Sequence, residues 1–145
     1  IQDFKNARLA YNSKDSQSGF AAIFNYMKTT NSWFASSIET TGHAQSANTV
    51  ANGKADIASI DAVTWCLIEK YDALSNQLRV LEWTEPTPGL PLICSLQFDR
   101  NVIFDCVSKA IQELSNTHKN ALGIRALIKI DTAKYLEIPN PTISM

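Results

Sequence analysis

The chain lacks a long apolar run, a basic cluster and any recognisable cysteine pattern, and each absence removes a class of protein. Its longest uncharged stretch of apolar character, residues 40–52, is polar-rich and well short of the about 20 apolar residues that cross a bilayer. No transmembrane helix is expected. The formal charge is −1 and the sequence pI about 6.1, without the basic stripe that marks a nucleic-acid partner. Cys66, Cys94 and Cys106 are odd in number and show no C-x-x-C or metal-like spacing, so neither a disulfide framework nor a metal site is indicated. Two of them fall on predicted apolar faces, and buried free thiols are expected. The chain opens Ile-Gln-Asp, without an initiator Met or a signal sequence, which suggests a start inside a longer gene product.

What is present is enough chain for one domain: 145 residues, 45% apolar and 19% charged, so a sizeable core is expected. Residues 7–11, ARLAY, read as a short strand ending in the turn-rich cluster Asn12-Ser13-Lys14-Asp15. Phe20, Ile23, Phe24 and Met27 then recur at helical spacing, behind the capping run Asp15-Ser16-Gln17-Ser18-Gly19. A helix start of this kind has unpaired N–H groups and a partial positive charge, which favour an anion. Ser16 and Ser18 would add hydroxyl donors and Gly19 close approach. Plain capping is the alternative, and without a Gly-Lys-Ser/Thr ending the segment is not a P-loop.

Residues 41–65, TGHAQSANTVANGKADIASIDAVTW, read as turn, helix, strand and helix start. Ala44, Ala47, Val50 and Ala51 share a helical face, and Asn52-Gly53 stands where a left-handed C-cap belongs. Residues 55–60 suit a short strand covered on both faces. Asp61 follows at its carboxyl end. Ligands of open α/β sheets bind at that edge, where His43 and Asp61 would both be displayed. A lone loop histidine is otherwise solvated or structurally bonded.

Further along, residues 31–34 read as a helical turn with Trp33 and Phe34 in the core, and residues 37–41 as a strand. Val63, Cys66, Leu67 and Lys70 have helical period; residues 78–83 and 92–96 read as strands on either side of a segment with Pro86, Pro88 and Pro91. That segment is either a crossing between lobes or an edge-strand kink. Residues 99–114 give the clearest helix, with Asp99 as N-cap and a wide apolar stripe expected in the core. Residues 116–120 read as a loop with an exposed His118, residues 121–130 and 132–136 as weaker helical or turn segments, and Pro139-Asn140-Pro141 as a tail.

The ordered set ARLAYN, DSQSGF, TGHAQSANTVANGKADIASIDAVTW, LRVLEWTEPTPGLPLI and ALGI resembles the phosphonate/phosphite/phosphate-type substrate-binding proteins of ABC importers, over roughly residues 7–125. The resemblance implies an α/β fold: a three-layer αβα lobe of the two-lobed periplasmic-binding-protein type 2 fold, with the first lobe largely absent. Its organisation would be a ligand-binding lobe over residues 7–84, a Pro-rich crossing over 85–91, and a return strand with C-terminal helices over 92–145. By the same resemblance Ser16, Gln17, Ser18 and Gly19 cradle an oxyanion, His43 is the ligand histidine, and Asp61 accepts a proton from a protonated ligand oxygen. Tyr11, Thr64 and Trp65 are secondary contacts. Leu90 precedes Pro91 where phosphonate-binding members carry an acidic residue.

The expected function is an extracytoplasmic solute-binding component, periplasmic or extracellular and membrane-anchored. It would capture a phosphate, phosphite or phosphonate and pass it to permease subunits, with no cofactor, metal or nucleic acid. A ligand-sensing domain of a receptor or regulator is the alternative on the same fold. An enzyme would have to rest on Cys66 with His43, for which no third orienting group is indicated.

Overall fold

Strand β1 (Arg8–Tyr11) is the centre of a three-stranded parallel sheet, flanked by β2 (Ser36–Glu39) on one side and β3 (Ile57–Ala58) on the other. Leu9, Ala10 and Tyr11 are all buried, as a parallel strand covered on both faces requires. Leu9 lies opposite Ser37 and Ile57, and Ala10 opposite Ile38 and Ala58. The computed structural model describes residues 1–29 and 31–139, which divide into two compact units, Ile1–Pro86 with Pro139 and Thr87–Ile138. The tail expected from Pro139 passes, at Asn140, outside the described residues.

In the first unit, Leu9, Tyr11 and Ile57 join Phe20, Ile23, Met27 and Phe34 in one core cluster. The helix over residues 17–29 opens with a single π turn, Gln17–Ala21, and continues as α1 (Ala22–Thr29). Its expected stripe holds, with Phe20, Ile23 and Met27 buried and Phe24 packed against them. The aromatic rings extend this packing, Tyr11 to Phe20 at 5.0 Å and Phe24 to Trp33 at 5.5 Å between centroids. Residues 31–34 form no helix among the described residues, although Phe34 is buried and Trp33 half-buried as expected. Asn31 turns the chain at φ 50, a left-handed residue that stops a helical turn from propagating.

A second cluster lies between α2 (His43–Ala51) and α3 (Ala62–Tyr71), where Ala47 meets Trp65 and Ile68. α3 turns a different face inward from the one expected, and α2 keeps Ala47 of its expected face buried but not Ala44. In α2 the buried residues are Ser46, Ala47 and Thr49, while Ala44 is exposed. Ser46 Oγ stands 2.6 Å from Thr40 Oγ1, and Thr49 Oγ1 donates to Gln45 O at 2.8 Å. Short hydroxyls that find partners nearby can be buried without leaving an unpaired dipole. In α3 the stripe of Val63, Cys66, Leu67 and Lys70 faces outward, with Val63 65% exposed, and the larger pair Trp65 and Ile68 takes the inner face.

Most of the remaining corrections come from the absence of a covering or pairing partner for an otherwise correct local pattern. Residues 78–83 and 92–96 form no strand among the described residues, and β3 has two residues where six were expected. Alternation selects an extended backbone; a strand also needs a neighbouring edge. In the second unit α4 (Arg100–Glu113) is capped by the Asp99 carboxylate, which accepts from Asn101 N at 2.7 Å. Its stripe is not a core: none of its residues is buried, and Val102 is exposed. This unit adds only the short α5 (Asn116–Leu122) and α6 (Thr132–Leu136), too little surface to enclose a stripe of that width. His118 lies within α5 rather than in a loop, because Ser115 Oγ caps it at 3.2 Å and left-handed Gly123 closes it. Cys66, Cys94 and Cys106 are all exposed, so the buried thiols expected from the apolar stripes are not found.

The end of α2 has the capping geometry expected of Asn52-Gly53. Lys54 N donates to Thr49 O at 3.0 Å and Gly53 N to Val50 O at 2.9 Å, with Gly53 at φ 69, the paired bonds of a Schellman motif. Nothing stands within 4 Å of a Cβ built at Gly53, so conformation alone sets the effect of substitution there. Gly53→Ala is expected to destabilise the first unit by about 1 kcal/mol, read as a lower urea midpoint; an unchanged midpoint would contradict the requirement for a left-handed residue.

Candidate functional site

Parallel pairing brings the carboxyl ends of all three strands to one edge. Because β1 connects to β2 on one side and β2 then connects across to β3 on the other, β1 and β3 straddle the point where strand order reverses. Open α/β sheets bind ligands there. Three connections contribute: residues 12–19 after β1, residues 40–43 after β2, and residues 59–61 between β3 and α3, with Ser59 and Asp61.

At the first, Ser16 is the N-cap of the helix, its Oγ accepting from Gly19 N at 3.1 Å. The amides of Phe20 and Ala21 both reach Ser16 O, at 3.1 and 3.0 Å, which is how the π turn arises. Gln17 and Ser18 occupy the open first turn, where N–H groups have no carbonyl one turn earlier. Ser16, Gln17 and Ser18 are half-buried, while Gly19 is buried.

His43 is the first residue of α2, and its two ring nitrogens tie separate connections together. Asp61 N donates to Nδ1 at 3.3 Å, and Nε2 lies 3.1 Å from Ser18 Oγ. With Nδ1 occupied as an acceptor, the neutral ring carries its proton on Nε2 and donates it to Ser18 Oγ. The Ser18 hydroxyl hydrogen is then directed to another acceptor. Ser59, which the sequence reading passed over, adds a brace by donating from Oγ to Ser18 O at 2.7 Å. A serine beyond a strand of two residues gives no pattern from which this bond could be inferred.

Asp61 stands at the expected edge and has a structural task as well. It is the N-cap of α3, with Oδ1 accepting from Thr64 N at 2.8 Å and Thr64 Oγ1 at 3.1 Å. Thr64 is thereby held at the same corner. Trp65 instead packs in the core, 7% exposed, with Nε1 buried and unpartnered. Tyr11 is also buried, and its hydroxyl donates to Glu39 Oε2 at 3.5 Å, the outer limit of a hydrogen bond. Ser16 to Gly19, His43, Asp61 and Thr64 thus belong to one linked wall, and Tyr11 and Trp65 lie in the packing behind it.

The family model for periplasmic substrate-binding proteins of phosphonate ABC transporters matches residues 1–136. The chain belongs to that family. No curated protein matches it. Members of the phosphonate-binding family are extracytoplasmic components of ABC transport that bind their substrate, and the mixed helices with a small parallel sheet agree with the α/β fold of such a protein. The α/β fold and the family expected from the ordered motifs are therefore both found.

Burial, and after it the neighbouring Glu39 carboxylate, raises the Tyr11 pKa above a tyrosine's ordinary value. A folded-state pKa above the unfolded one means that the neutral phenol favours the fold. That contribution is complete below about pH 10 and is lost as pH rises through the raised folded value. Tyr11→Phe is expected to show a shallower loss of stability than the parent above pH 10, measured as urea midpoints at stepped pH; parallel curves would reject it.

Proposed function

We propose that the Ser18–His43 wall binds the phosphorus oxyanion of a phosphonate, phosphite or phosphate, at the open first turn of the helix over residues 17–29. The observation that carries this reading is the hydrogen-bond chain from Asp61 N–H to His43 Nδ1 and between His43 Nε2 and Ser18 Oγ, whose sense follows from Nδ1 acting as acceptor. It leaves a polarised hydroxyl proton beside the unpaired amides of Gln17 and Ser18, a donor set suited to an anionic oxygen.

Asp61 gives the site its one carboxylate. Oδ1 is engaged by Thr64, and the remaining lone pairs on Oδ2 accept the proton of a P–OH group. Sulfate has no such proton to offer, and a carboxylate facing it repels it. The bound oxyanion is then delivered to permease subunits, the role that family membership supports. No bond of the ligand is broken.

Ser18→Ala and His43→Ala are each expected to weaken methylphosphonate binding by about 1.5 to 3 kcal/mol, the contribution of a hydrogen bond to a charged group. Calorimetric titration giving parental affinity for both variants would remove the site. Asp61→Asn retains a side chain able to cap α3 but replaces the carboxylate. It is expected to narrow the preference for methylphosphonate over sulfate; an unchanged preference would remove Asp61 from selection.

A further inference from the structure

Asn12 stands just beyond β1, bonded to the segment that leads to His43 and set against Gly19. Its carbonyl accepts from Thr41 N at 2.9 Å, and Thr41 is a β-branched residue held at φ 70, in the left-handed region that such residues avoid. This bond fixes the backbone two residues before His43. The Asn12 side chain crosses over Gly19: a Cβ added there would overlap Asn12 Oδ1, lie 2.9 Å from Asn12 Cγ and stand 3.0 Å from His43 Cε1. Thus the Asn12 carboxamide, Gly19 and the edge of the His43 ring share a space with no room for one more methyl group.

The second observation is energetic. Asn12 Oδ1 is buried and has no hydrogen-bond partner, a state that carries an uncompensated desolvation penalty. An apolar residue of similar size would avoid that cost, so packing alone does not account for the amide. The two adjoining groups are the helix start and the imidazole, whose separation sets the Ser18–His43 bond.

We infer that Asn12 is a positioning residue of this site: its carboxamide, lodged over Gly19, holds the turn containing Ser18 at the distance from His43 at which their hydrogen bond forms. Asn12 acts through Gly19 and His43 and need not touch the ligand. The affinity part of this inference rests on the oxyanion reading above; the part concerning the His43 ring does not.

The test compares the parent chain with Asn12→Ala, Gly19→Ala and the double variant, each read two ways. The first readout is the ring 15N NMR spectrum of His43, the second calorimetric affinity for methylphosphonate. The only other histidine is His118, exposed in the second unit, which serves as the reference signal. Asn12→Ala is expected to shift the His43 Nε2 resonance and weaken binding about tenfold, and Gly19→Ala to do more of both. Because removing the amide makes room for the added methyl, the double variant should bind more tightly than Gly19→Ala alone. Rescue of that kind would not arise if Asn12 only stabilised the chain in general, and unfolding of Gly19→Ala would show as loss of the dispersed NMR spectrum. Parental His43 resonances in Asn12→Ala would overturn the inference, and so would a double variant no better than Gly19→Ala. Shifted His43 resonances and restored shifts in the double variant, in a parent that does not bind methylphosphonate, would uphold the positioning role and overturn the oxyanion reading instead.

Discussion

The structure depends on β1 being paired in parallel on both sides. Parallel strands cannot be joined by a tight turn, so each connection must leave the sheet as a helix and return. That requirement places the helix over residues 17–29 after β1 and α2 after β2, and brings their starts to the same edge. The functional wall follows from connectivity before any side chain is considered. β1 manages this with four residues because three of them are buried and both neighbours bond to it.

Given that edge, hydrogen-bond direction decides what the wall does. An imidazole between a backbone N–H and a serine hydroxyl is a polar relay with one sense: it receives at Nδ1 and donates at Nε2. In the proposed site this relay would present donors to an oxyanion without a charged lysine or arginine. Ser59 and Thr64 support the same groups from behind, and the Thr40–Ser46 hydroxyl pair anchors the segment leading to His43. These braces limit the freedom of the donors before a ligand arrives, which reduces the entropy lost on binding.

The two units differ in how much apolar surface they enclose. The first buries two clusters around and beside the sheet. The second has well-capped helices, at Asp99, Ser115 and Asp131, yet leaves Leu90, Leu92, Ile93 and Leu96 exposed. Capping is satisfied locally, whereas burial depends on what else is near; the first is complete in this unit and the second is not.

That contrast also separates what the sequence by itself determined from what tertiary structure decided. The strand at residues 8–11, the cap at Ser16, the left-handed Gly53, the N-cap at Asp99 and the family itself were legible, because each is set by neighbours within a few residues or by motif order. Which face of α3 turns inward was not: a period of 3.6 says that a helix has faces, and only Ala47 meeting Trp65 and Ile68 says which one is covered. The residue types of the wall were likewise legible at Ser18, His43 and Asp61. Their roles as donor, relay and cap, and the presence of Asn12 and Ser59 among them, arise where three separate connections meet, since a hydrogen bond has a direction only when both of its partners are in place.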